Sequence, residues 1–304
     1  MTRDERDGAL PDNEGVLRDF DVTVAHPARV YNYLLGGKDN FAADRAAAEQ
    51  MIAGGAKVLT GVRANRAFLG RAVRFLAGEA GIRQFLDIGT GLPSADNTHE
   101  VAQAVAPSSR IVYVDNDPIV LSHANALLKS APAGACQYIQ ADLRDPRSIL
   151  DKAAKTLDFG QPVAIMILMT LQYVADADDP QQIVRTLVDA VPPGSYLAIS
   201  DVAMDLAADA NVAASADKLN EHLRTTRQTI RSLEQITGFF TGLKMVDPGL
   251  VQLPQWRPDP GDAGPAQHVT LSAYCGIGRK PAGGISATEI SAGAAAPPPP
   301  ASPT

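Results

Sequence analysis

The sequence predicts an α/β protein built on a mostly parallel sheet with helices on both faces. Three observations carry this. Short apolar strands alternate with helical segments from Phe85 to Ser200, the first strand runs into a glycine turn, and an aspartate stands at the end of each of the first three strands. Alternation of this kind requires right-handed crossovers, and ligands of such folds sit outside the carboxyl ends of the strands.

Composition narrows the class. A chain of 304 residues with 45% hydrophobic residues can bury a real core. The net charge of −7, from 27 basic against 34 acidic residues, argues against a general electrostatic grip on nucleic acid or anionic lipid. Cys136 and Cys275 lie far apart with no CxxC pair, so they read as buried thiols; neither a disulfide framework nor a metal site is expected. The N-terminus is too polar for a secretory signal and no apolar run reaches the roughly 20 residues of a membrane span, so the expectation is a cytoplasmic protein.

Residues 1–25 are charged and punctuated by glycine and proline, and residues 281–304 are almost all Ala, Gly, Pro, Ser and Thr. Neither segment can bury a core, which leaves 26–280 as one expected domain between two disordered ends. The segment Pro27–Phe41 reads as a short helix stopped at Gly36-Gly37, and Asp44–Met51 as a second, by alanine and glutamate propensity. This pair at about 26–60 is either a lid over a ligand or a helix pair packed through Val30, Tyr33 and Leu34. Asn65–Glu79 is an amphipathic helix whose Arg63, Arg66, Arg71 and Arg74 form a stripe. The stripe is a solvated face, unless one arginine near the helix start turns inward to an anionic group.

The alternation then runs in order. Strand Phe85–Ile88 precedes a helix over 97–105. Strand Ile111–Val114 precedes a helix opened by Pro118 and running to Leu128, and strand Cys136–Ile139 precedes a helix over 146–157. Strand Val163–Leu168 is a continuous apolar run, as in a central parallel strand, and Asp179-Pro180 caps and starts the helix after it. Strand Tyr196–Ser200 follows. A long helix is expected around 216–237, then strands at 243–246 and 269–275, close to a hairpin, joined by a loop carrying the single Trp256.

Asp87, Asp115 and Asp142 thus line one edge of the sheet. An acid after the second strand is placed to accept from ribose hydroxyls, and one after the third can receive an exocyclic amine such as that of adenine. Each alone could be a helix cap; together they point to a nucleoside. The turn after Asp87 lacks the third glycine of GxGxxG, having Pro93 and Ser94, and no phosphate loop is present. A nucleoside cofactor without phosphates fits best, which is S-adenosylmethionine.

The core resembles a class I S-adenosylmethionine-dependent methyltransferase through Leu86-Asp-Ile-Gly-Thr-Gly91, Val114-Asp-Asn-Asp-Pro118, Ala141-Asp-Leu143 and Pro193-Gly-Ser-Tyr-Leu-Ala-Ile-Ser200. More narrowly it is similar to the S-adenosyl methyltransferase family once described as DUF574. That likeness rests on Ala28–Phe41, Arg63-Ala-Asn-Arg66, Gly89–Ser94, Asn97-Thr-His-Glu100 and Gln255-Trp-Arg-Pro258 and covers about residues 25–280. The resemblance implies a Rossmann-like, seven-stranded sheet with an antiparallel last strand. It also implies that Asp87, Gly89 and Gly91 hold the methionine part, Asp115 the ribose, and Asp142 with Leu143 and Asn116 the adenine. Leu168, Met169 and Thr170 would border the methyl group, and the Tyr31–Asn40 segment, with Tyr33, Gly36 and Asn40, would close over the cofactor. Arg63 or Asn65 would reach the methionyl carboxylate.

Methyl transfer from a sulfonium needs alignment and water exclusion more than acid–base chemistry. His99 and Tyr173 are the candidates for a base, and no catalytic residue is assigned. The expected partner is a small-molecule acceptor, without nucleic acid or membrane, and the oligomeric state is open. The alternative is a regulatory protein that binds S-adenosylmethionine or S-adenosylhomocysteine without transferring a methyl group.

Overall fold

The structure, a computed structural model, describes residues 21–55, 57–94, 96–127, 130–204, 210–223, 226–259 and 270–283. Most of the two terminal segments expected to be disordered, and Val269 of the expected last strand, lie outside the described residues.

Three helices precede the sheet: α1 (Pro27–Leu34), α2 (Ala42–Ala53) and α3 (Val58–Arg74), the last continuing as a π-helical turn over Phe75–Glu79. The alternation follows as β1 (Gln84–Ile88), α4 (Thr98–Val105), β2 (Arg110–Asp115), α5 (Pro118–Leu127), β3 (Ala135–Gln140), α6 (Pro146–Ala153), β4 (Ala164–Leu168), α7 (Pro180–Asp189) and β5 (Tyr196–Val202). The chain continues with α8 (Ala210–His222), α9 (Leu233–Gly238), β6 (Lys244–Met245), β7 (Val251–Gln252) and β8 (Ala273–Arg279). Local chemistry sets the starts. Proline opens α6 and α7 behind Asp145 and Asp179, each of which accepts a backbone N–H, and Asn97 with Glu100 forms a capping box on α4.

The strand order is β3-β2-β1-β4-β5-β8-β6, with β1–β5 parallel and β8 antiparallel to β5 and β6. The seven-stranded expectation is met along this path, and β7 is an additional strand on β8. Together β6 and β7 make one interrupted edge. Met245 pairs with Gly278 and Val251 with Cys275, so six steps along one side face three along the other. The surplus bulges out in a turn whose Gly249 has φ +89°.

Period-two alternation sorts the strands onto two cores. Leu86, Ile88, Val112, Val114, Ile165, Ile167, Leu197 and Ile199 face α6, α7 and α9. Phe85, Ile111, Tyr113, Ala164, Met166 and Ala198 face α3, α4 and Trp256. Trp256 is fully buried, edge-on to Phe68 at 5.3 Å and to Phe75 at 5.8 Å. Its segment is held by Arg71, which donates to the carbonyls of Trp256 (2.8 Å) and Leu253 (2.7 Å). Helices α1, α2 and α8 form a third cluster around Val30, Leu34, Ala47, Ala48 and Leu219.

One expectation is corrected. The single helix over 216–237 is two helices, because the Asn220 side chain accepts from the Gln228 N–H (2.7 Å) and donates to its carbonyl (3.0 Å), folding the chain back. Ser232 then caps α9 in a box with Gln235. None of the helices among the described residues is long and apolar enough to cross a membrane, and no cluster there could hold a metal ion.

Candidate functional site

The carboxyl ends of β1, β2, β3 and β4 open into one cavity of about 130 Å³. Its wall includes Asp87, Gly89, Gly91, Asp115, Asn116, Asp142, Leu143, Leu168 and Met169. These residues come from four separate strand ends, and the parallel register brings them together.

The glycine turn is shaped by its neighbours. Gly89 (φ +73°) donates to the Val114 carbonyl at 2.8 Å, and a Cβ there would drive into Thr170, so this position admits only glycine. Gly91 (φ +67°) differs: a Cβ there would meet no protein atom within 4 Å, because the residue faces open cavity. Its N–H donates to Asp115 Oδ2 at 2.8 Å, while the Asp117 N–H donates to Oδ1 at 3.0 Å. Asp115 therefore holds the turn as well as facing the cavity.

The three carboxyls differ electrostatically. Burial pushes Asp87 up to about 6, although it accepts a hydrogen bond from Thr98 Oγ1 at 2.6 Å. Burial also raises Asp115. Asp142 is held below the usual carboxylate range by Arg144, whose Nη2 and Nε donate to it at 2.6 and 2.9 Å.

The remaining candidates fall differently. Gly36 lines a second cavity of about 280 Å³, which lies between the Gly36-Gly37 turn and Thr90–Ser94 and shares Tyr31, Arg66 and Gly91 with the first. Tyr33, Asn40 and Arg63 line neither cavity. The Tyr33 hydroxyl donates to Glu49 Oε1 (3.1 Å), the Asn40 amide donates to Asn32 Oδ1 (2.9 Å), and Arg63 is exposed. The cavity-facing side of α3 carries Asn65, Arg66 and Leu69. Three positions on from Arg63 amounts to a net turn of about 60° and a rise of about 4.5 Å along α3, which brings the Arg66 guanidinium to the wall.

Within the Tyr31–Asn40 segment it is Tyr31 that borders both cavities. Its hydroxyl accepts from Asn65 Nδ2 at 2.9 Å and donates to the Val62 carbonyl at 3.3 Å, and Asn65 Oδ1 accepts from Ser200 Oγ at 2.7 Å. His26, also on the wall, has Nδ1 3.1 Å from Asp117 Oδ2. Of the two candidate bases, His99 is buried against the Tyr113 hydroxyl (Nδ1 at 2.9 Å) and away from the cavities. Tyr173 lines the cavity, and burial raises its phenol.

Residues 13–281 match a family model described as S-adenosyl methyltransferase. The solved structure of a DUF574 family protein from Streptomyces avermitilis is 43% identical over 86% of this chain and 99% of its own, with a TM-score of 0.81. A proposed methyltransferase from Thermobifida fusca is 40% identical over 90% of this chain and 100% of its own, with a TM-score of 0.77. No protein of curated function matches the chain.

Proposed function

The chain belongs to the S-adenosyl methyltransferase family, whose cofactor is S-adenosylmethionine, and on that premise we propose that it methylates a small-molecule acceptor. The bound cofactor supplies a methyl group on a positively charged sulfur. The observation that carries the proposal is the meeting of Asp87, Asp115 and Asp142 at one cavity with the glycine turn Gly89–Gly91.

The residues present fit the group. Asp115 accepts the ribose hydroxyls, and Asp142 with Asn116 and Leu143 takes the adenine. Asp87 offers a buried carboxylate to the methionyl ammonium, and Gly91 leaves room for the methionine chain. Arg66 is the guanidinium positioned for the methionyl carboxylate, with Asn65 beside it. Leu168, Met169 and Thr170 border the methyl group. Helices α1 and α2 act as a lid through Tyr31 and the Gly36-Gly37 turn, while Tyr33 and Asn40 stabilise the lid from outside the cavity. The protein's contribution is then alignment and water exclusion.

Calorimetric titration with S-adenosylhomocysteine is expected to show binding to the wild type. Asp142→Ala, whose carboxylate is otherwise engaged by Arg144, should weaken it by about tenfold with little change in melting temperature, since one ribosyl or adenine contact is typically worth 1–2 kcal/mol. A wild-type protein that binds neither S-adenosylmethionine nor S-adenosylhomocysteine overturns the proposal. A second reading, a cofactor-binding protein without transferase activity, is favoured by one observation. No Asp, Glu or His is among the described residues lining a further cavity that lies between α1, α3 and α8 and reaches Met169.

A further inference from the structure

A third cavity, of about 280 Å³, lies between α1, α3 and α8 and meets the cofactor cavity at Tyr31, Met169 and Tyr173, which line both. Hydrogen bonds hold the partition in place. Met169 sits at φ +53°, a conformation that side chains rarely adopt, and its N–H is pinned by the Ser200 carbonyl (2.8 Å) and hydroxyl (3.1 Å). The Tyr31 hydroxyl is fixed by Asn65 and Val62.

The chemistry of this cavity is one-sided. Apolar side chains such as Val30, Leu34, Val58 and Val62 dominate its wall, and the one charged group among the described lining residues, Lys57, is exposed and donates to the Thr270 carbonyl at 3.2 Å. Next to the partition Gln172 is buried, its Nε2 donating to the Met169 carbonyl at 3.2 Å and its Oε1 accepting from Gln228 Nε2 at 3.0 Å; Asn211, Ser215, Thr270 and Ser272 add polar groups elsewhere on the wall, with Ser215 Oγ donating to the Met51 carbonyl at 2.9 Å. An ionised ligand would lose its hydration here with only the exposed Lys57, already engaged by the Thr270 carbonyl, as a charged partner among the described lining residues, so a neutral occupant is favoured. An apolar cavity of about 150 Å³ holds one benzene ring, so nearly twice that volume suits two fused rings.

Resting on the methyltransferase reading above, we infer that this cavity is the acceptor site and takes a neutral two-ring aromatic compound with a phenolic hydroxyl at the Tyr31–Met169–Tyr173 end. The described lining residues offer a phenol, Tyr173, and amides but no carboxylate or imidazole beside the methyl position, which suits an acceptor hydroxyl that ionises readily. A phenol ionises near pH 10, as tyrosine does, whereas an aliphatic alcohol holds its proton about as tightly as water and needs a strong base. In the transfer the phenolic oxygen's lone pair forms the new O–C bond to the methyl carbon. The C–S bond breaks with its electrons left on sulfur, giving the neutral thioether, and the phenol proton passes to water.

The test is binding of 2-naphthol, followed by its own fluorescence, to the full-length protein saturated with S-adenosylhomocysteine. The wild type is expected to bind it, and to bind naphthalene-2-sulfonate at least about tenfold more weakly. Gly61, on the α3 face of the cavity, has room for a side chain, since a Cβ there meets no atom within 4 Å. Gly61→Phe should abolish 2-naphthol binding and leave S-adenosylhomocysteine affinity unchanged; Val212→Trp, from α8, fills the same space and reads the same way should Gly61→Phe not fold. With S-adenosylmethionine the bound naphthol should yield 2-methoxynaphthalene. The inference is overturned by wild type that binds S-adenosylhomocysteine but not 2-naphthol, by equal binding of the sulfonate, by naphthol binding that survives both filled variants, or by binding without the methyl ether. Failure to bind S-adenosylhomocysteine at all would instead overturn the methyltransferase reading.

Discussion

On the proposed reading, in which Asp87 meets the methionyl ammonium, this one side chain sets function against stability. It is 4% exposed, and burial raises its carboxyl to about 6. An unfolded aspartate titrates near 4, so between about pH 4 and 6 the folded chain binds more protons than the unfolded one, and stability from this group falls as pH rises through that window. A shift of about two units corresponds to roughly 2–3 kcal/mol, all of it felt at pH 7. Asp87→Asn keeps an oxygen for the Thr98 hydroxyl and removes the buried charge. The ligand-free variant is therefore expected to melt several degrees above wild type at pH 7.5 and at the same temperature at pH 4, while its affinity for S-adenosylmethionine falls. Differential scanning calorimetry at the two pH values checks this, and equal melting temperatures at pH 7.5 would refute it. Asp87 was legible in the sequence because a strand's last residues and its glycine turn are contiguous. The guanidinium on the cavity wall was less so: Arg63 and Arg66 differ only in which way α3 is turned, and that is set by Phe68, Leu69 and Ala72 packing on the sheet.

At the scale of elements, the strands and the helices between them follow from period, capping and proline, and most of their ends fall within a few residues of expectation. What the sequence hid are contacts between distant positions. The break between α8 and α9 depends on Asn220 gripping Gln228, and the α1–α2 pair depends on Arg29 and Asp44. Arg29 Nε lies 3.1 Å from Asp44 Oδ2 and its Nη2 donates to the Val24 carbonyl at 2.7 Å, while Asp44 also accepts from the N–H groups of His26 and Phe41. Both side chains are buried. Removing one partner of such a pair strands the other charge and typically destabilises by about 3–5 kcal/mol. Arg29→Met is expected to lower protection against hydrogen exchange across α1 and α2 while β1, β4 and β5 keep theirs. Uniform loss over the sheet would show that the helix pair and the sheet melt together.

Across the whole molecule, one polar chain ties the helical cap to the sheet. Ser200 in β5 donates to Asn65 on α3, and Asn65 donates to Tyr31 on α1, at 2.7 and 2.9 Å. The same tyrosine borders all three cavities, so the position of the helical cap over the spaces proposed for cofactor and acceptor depends on this chain. Tyr31→Phe leaves the Asn65 amide without its acceptor, and Ser200→Ala leaves the Asn65 carbonyl and the Met169 N–H each short of a partner. Each change is expected to destabilise by about 1–2 kcal/mol. If the three groups act as one network, Asn65 loses its orientation after either change, so the second removes less than the first. The double variant should then be more stable than the sum of the single effects by at least about 0.5 kcal/mol in urea unfolding. Strict additivity would mean that Tyr31 is held by the apolar cluster of α1, α2 and α8 alone, and that the cap can move without disturbing β5.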